Sequence, residues 1–172
     1  MYLVSLYFDK QTDDILSNLM KQIARKSGNN YMLERKIPPH LTIGMVGQGK
    51  EEELLYHLDT CISQWSREKI DIVSIGCFKP HVLFLATVLN RPLHEMCVDV
   101  NKVFSEKKSR YQPFHWLPHI SMARNLNELQ MQQAFQVLQA NFTPLQGTIL
   151  EVGLSTGNPY HDVKRWKLCY GS

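Results

Sequence analysis

The 172-residue chain has no apolar run approaching the roughly 18 residues that a membrane helix needs. Its first residues, Met1-Tyr2-Leu3-Val4-Ser5, lack the basic region and apolar stretch of a secretory leader. Both absences point to an intracellular, cytoplasmic protein with no membrane attachment. There is no Cys-x-x-Cys pair either. Cys61, Cys77, Cys97 and Cys169 stand far apart, each within an apolar pattern, which reads as buried reduced thiols rather than disulfides. Nor does one sign of charge dominate. A net charge of +3 is too mild to announce nucleic acid, though it does not oppose a phosphate-bearing substrate. What remains is an ordinary globular composition, 44% hydrophobic and 20% charged, long enough for one domain or for two small lobes sharing a cleft.

Strands and helices alternate along the chain. Tyr2 to Phe8 is a strand by composition. A helix is expected over residues 12–26, with Ile15, Leu19, Met20 and Ile23 as its stripe. Asp13 and Asp14 open it, Lys21, Arg25 and Lys26 close it, and Gly28 caps it. Pro38 and Pro39 force extension just before an apolar strand at 41–46. A helix at 50–66 buries Leu54, Leu55, Leu58, Ile62 and Trp65, and strands follow at 69–77 and 81–88. A helix at 91–107 then buries Leu93, Met96, Val100, Val103 and Phe104. After a strand at 118–123, a helix at 127–140 carries Leu129, Ala134, Phe135 and Leu138, and strands at 146–155 and 163–170 close the chain.

One offset organises this order. His40 and His119 are 79 residues apart, and adding 79 carries Pro39-His40-Leu41-Thr42 onto Pro118-His119-Ile120-Ser121. The same shift carries the first strand and first helix onto 81–87 and 91–105, and the strand at 69–77 onto 148–156. A fixed internal offset is the mark of a duplicated unit. This period is longer than a solenoid repeat, so two pseudo-symmetric lobes are expected, about 1–80 and 81–172, within one domain.

On a strand, alternate side chains share a face. His40 therefore points with Thr42, and His119 with Ser121. If the lobes are related by a twofold axis, the two imidazole-hydroxyl pairs converge. Phosphoester cleavage needs a base for the attacking oxygen and an acid for the leaving one. Two histidines with ordinary pKa near 6.5 fill both roles without a metal or cofactor, while the hydroxyls hold the non-bridging oxygens. A lone histidine on such a strand is more often packed than catalytic; two copies at equivalent places in a repeat are harder to dismiss.

Pro39-His40-Leu41-Thr42-Ile43-Gly44 and Pro118-His119-Ile120-Ser121-Met122-Ala123-Arg124 resemble the paired motifs of the 2H phosphoesterases, which include bacterial 2′-5′ RNA ligase-like proteins and cyclic nucleotide phosphodiesterases. Leu154-Ser155-Thr156-Gly157, followed by Tyr160 and Trp166, looks like that family's closing strand pair. The resemblance covers nearly the whole chain. It implies an α+β fold, bilobal, with an antiparallel sheet and helices in each lobe and a central cleft. It also implies metal-independent chemistry at 2′,3′-cyclic phosphates or 2′-5′ linkages, on an RNA end or small nucleotide. His40 and His119 would be the acid/base pair, Thr42 and Ser121 the phosphate-binding hydroxyls, and Arg124 a further phosphate contact. Ser121 stands where the family more often has Thr. The alternatives are a 2′-5′ oligonucleotide phosphodiesterase, an RNA ligase, or an RNA- or nucleotide-binding module without catalysis.

The segments entering the motifs combine aromatics with cations: Tyr31-Met32-Leu33-Glu34-Arg35-Lys36, and Lys107-Lys108-Ser109-Arg110-Tyr111-Gln112-Pro113-Phe114-His115-Trp116. Bases stack on aromatics and phosphates pair with cations, so these loops suit a nucleotide. The other reading is a solvated basic helix end followed by aromatics that cover the core. Trp116 fits that second reading better, whereas Tyr111 and Phe114 fit both. Tyr160 either lines the cleft or braces the last hairpin. His115 and His119 have metal-ligand spacing on a helix, but Pro118 makes the segment extended, so no metal site is expected. His57, His81, His94 and His161 read as surface or structural, and a monomer is expected.

Overall fold

The computed structural model describes residues 1–46, 51–104, 111–112, 115–157 and 159–171, without the side chains of Val103 and Phe104. The chain folds in the order β1 (Tyr2–Phe8), α1 (Lys10–Ser27), α2 (Tyr31–Glu34), β2 (Leu41–Val46), α3 (Glu51–Ile62), β3 (Glu68–Phe78), β4 (Val82–Thr87), α4 (Arg91–Phe104), β5 (His119–Arg124), α5 (Glu128–Asn141), β6 (Leu145–Gly157) and β7 (Tyr160–Lys167). This is the expected mixture of helices and antiparallel sheet. No helix among the described residues is long and apolar enough to cross a membrane.

Helix α1 begins earlier than its apolar stripe suggests, because its cap is Asp9. The Asp9 carboxylate accepts from the Thr12 amide at 2.9 Å and the Thr12 hydroxyl at 2.7 Å. It also accepts from the Thr148 amide at 2.7 Å, tying the helix start to β6. The other end closes at Gly28 with φ 69. Leu16, Leu19, Met20 and Ile23 face the core, and Ile15 is 39% exposed. Both residues satisfy helical spacing with Leu19 and Ile23, and only the position of the sheet decides between them. Helix α5 departs in the same way: Met131, Ala134 and Leu138 are buried, while Leu129 and Phe135 face out. Helix α3 ends at Ile62, so Trp65 sits beyond it, half-buried and donating its indole N–H to Asp99 at 3.3 Å. The four cysteines are free, but only Cys97 is buried; Cys61 and Cys77 are half-buried and Cys169 exposed. Cys77 lies on a strand and Cys169 at the chain end, where an apolar pattern does not guarantee two covered faces.

The strands join in the order β1-β2-β5-β4-β3-β6-β7, with β1 also paired to β6, so six of them form a closed circuit and β7 extends it at one edge. Adding 79 to Leu3↔Met45, Val4↔Gly44, Ser5↔Thr42 and Leu6↔Leu41 of the β1–β2 ladder yields Val82↔Arg124, Leu83↔Ala123, Phe84↔Ser121 and Leu85↔Ile120 of the β4–β5 ladder, with the register shift at the same place. The β3–β4 and β1–β6 ladders also match, with β3 carried onto β6 by 77 rather than 79: Phe78↔Val82 becomes Ser155↔Leu3, and Ile72↔Thr87 becomes Ile149↔Phe8. The β3–β6 ladder, from Glu68↔Ile149 to Ile72↔Leu145, maps onto itself about Ile70 and Gly147. From these matched registers we infer that the two halves are copies of one unit, related by a local dyad. Helices α1 and α5 cover β3, β4 and β5, and α4 covers β2.

Burial pushes the Asp9 carboxyl up, but the bonds from Thr12 and Thr148 outweigh it and hold the group below its ordinary value. Asp9→Ala should therefore cost about 1–2 kcal/mol at neutral pH in urea unfolding. Because the folded-state value is depressed, this stabilisation is present above the unfolded value of about 3.9 and fades as pH falls through the folded one. The difference between variant and wild type should shrink accordingly in acid.

Candidate active site

β2 and β5 touch through one described pair, Leu41↔Ile120, and both side chains are fully buried. These two residues are equivalent by the 79 offset, so the pair lies on the dyad. Strand alternation then turns His40 and Thr42 on one strand, and His119 and Ser121 on the other, away from the core. All four line one cavity of about 700 Å³. In an antiparallel pair centred on Leu41 and Ile120, His40 comes opposite Ser121 and Thr42 opposite His119. The four groups form a rectangle roughly 5 Å by 7 Å at the backbone, set by the spacing between strands and by alternation along them.

A bulge adds a fifth group. Between Phe84↔Ser121 and Leu83↔Ala123 the ladder skips Met122. Simple alternation would turn Arg124 away from Ser121, but the extra residue returns it to the same face, and Arg124 lines the cavity. The matching bulge in β2 skips Ile43. The Asn101 side-chain amide satisfies its carbonyl at 3.0 Å, and Met45 is turned into the cavity. The lobes thus offer a cation at one position and a thioether at its equivalent. Arg124 has no ion pair among the described residues.

Each imidazole is oriented from behind in the same way. The Nδ1–H of His40 donates to the Pro38 carbonyl at 2.8 Å, and that of His119 to the Leu117 carbonyl at 2.7 Å. A carbonyl can only accept, so Nδ1 carries the proton and Nε2 is left to exchange one with a substrate. Burial pushes both histidines below their ordinary value. The Pro38 and Leu117 bonds act against this, and the Arg124 cation adds to it at both; His40 feels His119 and Arg165 as well.

The surroundings differ. His119 has the rings of Phe78 and Phe84 at 5.2 Å each, the first edge-on. Gly76 makes this possible, since a Cβ there would stand 2.4 Å from the Phe84 ring. The positions equivalent to Phe84 and Phe78 are Ser5 and Ser155. Ser5 Oγ lies 3.2 Å from Thr42 Oγ1. The ring beside His40, at 6.2 Å, is Tyr7, which leans across Gly153, where a Cβ would be 2.7 Å away.

Of the other expected residues, Tyr111, Tyr31 and the exposed His115 line the cavity. Trp116 is buried and donates its indole N–H to the Thr42 carbonyl at 3.1 Å, bracing the β2 motif as a core residue while also reaching the cavity wall. Arg35 stacks on Tyr31, 4.0 Å from the ring centre. Lys107, Lys108, Ser109, Arg110, Pro113 and Phe114 lie outside the described residues. Tyr160 does not line this cavity; its hydroxyl is bound to Tyr7 at 3.1 Å and Asp162 at 2.8 Å. His81 is structural, bonded through Nδ1 to the Leu126 carbonyl at 3.0 Å. Sequence reasoning missed Tyr7, Phe78, Phe84 and Met45. The 79 offset already held a signal for Met45, which is the counterpart of Arg124.

A mixed fold that presents two His-x-(Thr/Ser) strands to one cavity defines the class of protein. The profile of the 2′-5′ RNA ligase superfamily matches residues 12–158, and the chain belongs to that superfamily, the 2H phosphoesterases. Similar solved structures include a phosphoesterase (16% identity, 98% of each chain, TM-score 0.63). E. coli LigT complexed with 3′-AMP is another (16% identity, 98% of this chain and 97% of that one, TM-score 0.57), as is Usb1 of Kluyveromyces marxianus (15% identity, 98% and 97%, TM-score 0.55). At these identities the likeness is one of fold. No curated protein matches the chain.

In the ligand-free protein, both imidazoles should titrate below about 6.5. Nitrogen-15 spectra at neutral pH should show both as the Nδ1–H tautomer. An Nε2–H signal at either ring would contradict the site described.

Proposed function

We propose that this protein hydrolyses 2′,3′-cyclic phosphates, at an RNA end or on a small nucleotide, using His40 and His119 as its acid/base pair. The observation that carries this reading is the rectangle of two imidazoles and two hydroxyls astride the dyad, each imidazole offering Nε2 to the same cavity. A phosphodiester placed between them meets one nitrogen on the attacking side and one on the leaving side. Thr42, Ser121 and Arg124 would take the non-bridging oxygens, and Arg124 has no carboxylate partner among the described residues to give up first. Water attacks phosphorus and loses its proton to one Nε2, while the bond to a ribose oxygen breaks and that oxygen takes a proton from the other. A ring-opened phosphomonoester results, and the two histidines have exchanged protonation states.

The volume accommodates a nucleotide with part of a neighbour, and Tyr111 in the wall suits a base. Because both histidines come from one chain, a monomer suffices. Cleavage of a 2′-5′ linkage, or ligation, would use the same groups. Product analysis on a panel of cyclic and 2′-5′ substrates separates these readings.

His40→Ala and His119→Ala should each lower turnover by roughly 10²–10⁴-fold in a protein that remains folded. Full activity in either would remove the proposal, and turnover should be insensitive to EDTA. Arg124→Gln should weaken inorganic phosphate by roughly 10- to 100-fold, the worth of a hydrogen bond to a charged group. The kcat/KM profile should be a bell. Its acid limb is protonation of the base, and its alkaline limb is loss of the acid's proton. With both histidines depressed, its maximum should lie below about pH 6.5.

A further inference from the structure

Two equivalent histidines on a dyad have no reason to divide their labour, so something in this chain must distinguish them. β7 is the strand without a counterpart: β3 carries no described strand on the edge equivalent to the one β7 covers on β6. It brings Arg165 over Tyr7, with the guanidinium carbon 3.6 Å from the ring centre. The residue equivalent to Tyr7 in the other half is Ala86. The pair is held by a chain of polar contacts. Tyr160 gives its only proton to Asp162, so the Tyr7 hydroxyl must donate to Tyr160. Arg165 itself is paired with Asp162 at 2.9 Å and Glu151 at 3.5 Å.

We propose that Arg165, seated on Tyr7, is the positioning residue that makes His40 the proton acceptor and leaves His119 the donor. This rests on the two-histidine reading above and adds the direction of proton flow to it. A guanidinium seated on the ring beside His40 penalises an imidazolium there. Arg124 presses on the same group from β5, and the repulsion between His40 and His119 is mutual. Asp162 and Glu151 offset part of the Arg165 charge, while Tyr7 and Tyr160 remain neutral phenols, Tyr7 raised chiefly by burial. His119 faces Arg124 alone among these cations, and the rings of Phe78 and Phe84 stand beside it. When one proton is shared between the two imidazoles, it resides on His119. Water therefore loses its proton to His40 Nε2, and the leaving ribose oxygen receives the His119 Nε2 proton.

The test is an NMR titration of both imidazoles in the ligand-free protein, which needs no substrate and so reports whether or not the proposed reaction occurs. In the wild type, His40 should titrate below His119. Arg165→Gln should move the His40 midpoint upward and leave that of His119 in place, and Arg165→Lys, which keeps the charge, should restore much of the wild-type order. If Arg165→Gln does not fold, Asp162→Asn provides the opposite sign: with less of the Arg165 charge offset, the His40 midpoint should fall further. A His40 midpoint unmoved by these changes, or equal movement at both histidines, overturns the assignment. So does a wild type in which His40 titrates at a higher pH than His119.

Discussion

The contact between Leu41 and Ile120 is the constraint on which the site depends. It is the described bridge between β2 and β5, it lies on the local dyad, and both side chains point into a core that leaves them no exposed surface. Once these two residues are buried, alternation leaves their neighbours little choice. His40, Thr42, His119 and Ser121 must face the other way, into one cavity, at spacings set by strand geometry rather than by any contact among them. The two imidazoles and two hydroxyls are therefore held in place by hydrophobic burial one residue away from them.

Around that centre the two halves agree in backbone and differ in side chains. Ladder registers, bulges and the carbonyls that orient the imidazoles repeat from one half to the other, so the positions presented to a substrate are nearly twofold. What fills them is not. Arg124 stands opposite Met45, Phe78 and Phe84 opposite Ser155 and Ser5, and Tyr7 opposite Ala86. A symmetric phosphoryl group can be met by the symmetric part, while the asymmetric part suits the two unlike arms of a phosphodiester.

The sequence was most legible where a local rule sufficed. Paired Pro-His-aliphatic-hydroxyl strands announced themselves, and the 79 offset anticipated matching ladders. It was least legible where two positions satisfied the same rule, as Ile15 and Leu16 did on α1, or where a residue's partner lay far along the chain. Arg124 shows both sides. Its place in a motif was visible, but alternation would have turned it away, and the bulge at Met122 that turns it back is a property of pairing with β4. Tyr160 joins Tyr7 across the sheet, a contact between the first and last strands that no spacing encodes.

By itself the sequence determined the elements, their repeated order and the paired motifs whose histidines are proposed to exchange protons, because helix and strand periodicity, proline and a recurring motif are all local information. Only the tertiary structure decided that β2 and β5 meet at Leu41 and Ile120, that bulges return Arg124 and Met45 to the cavity, and that Arg165 lies over Tyr7 beside one histidine and not the other. These depend on which surfaces must be buried together when the circuit of strands closes. That closure is a free-energy minimum of the whole chain, and no segment contains it.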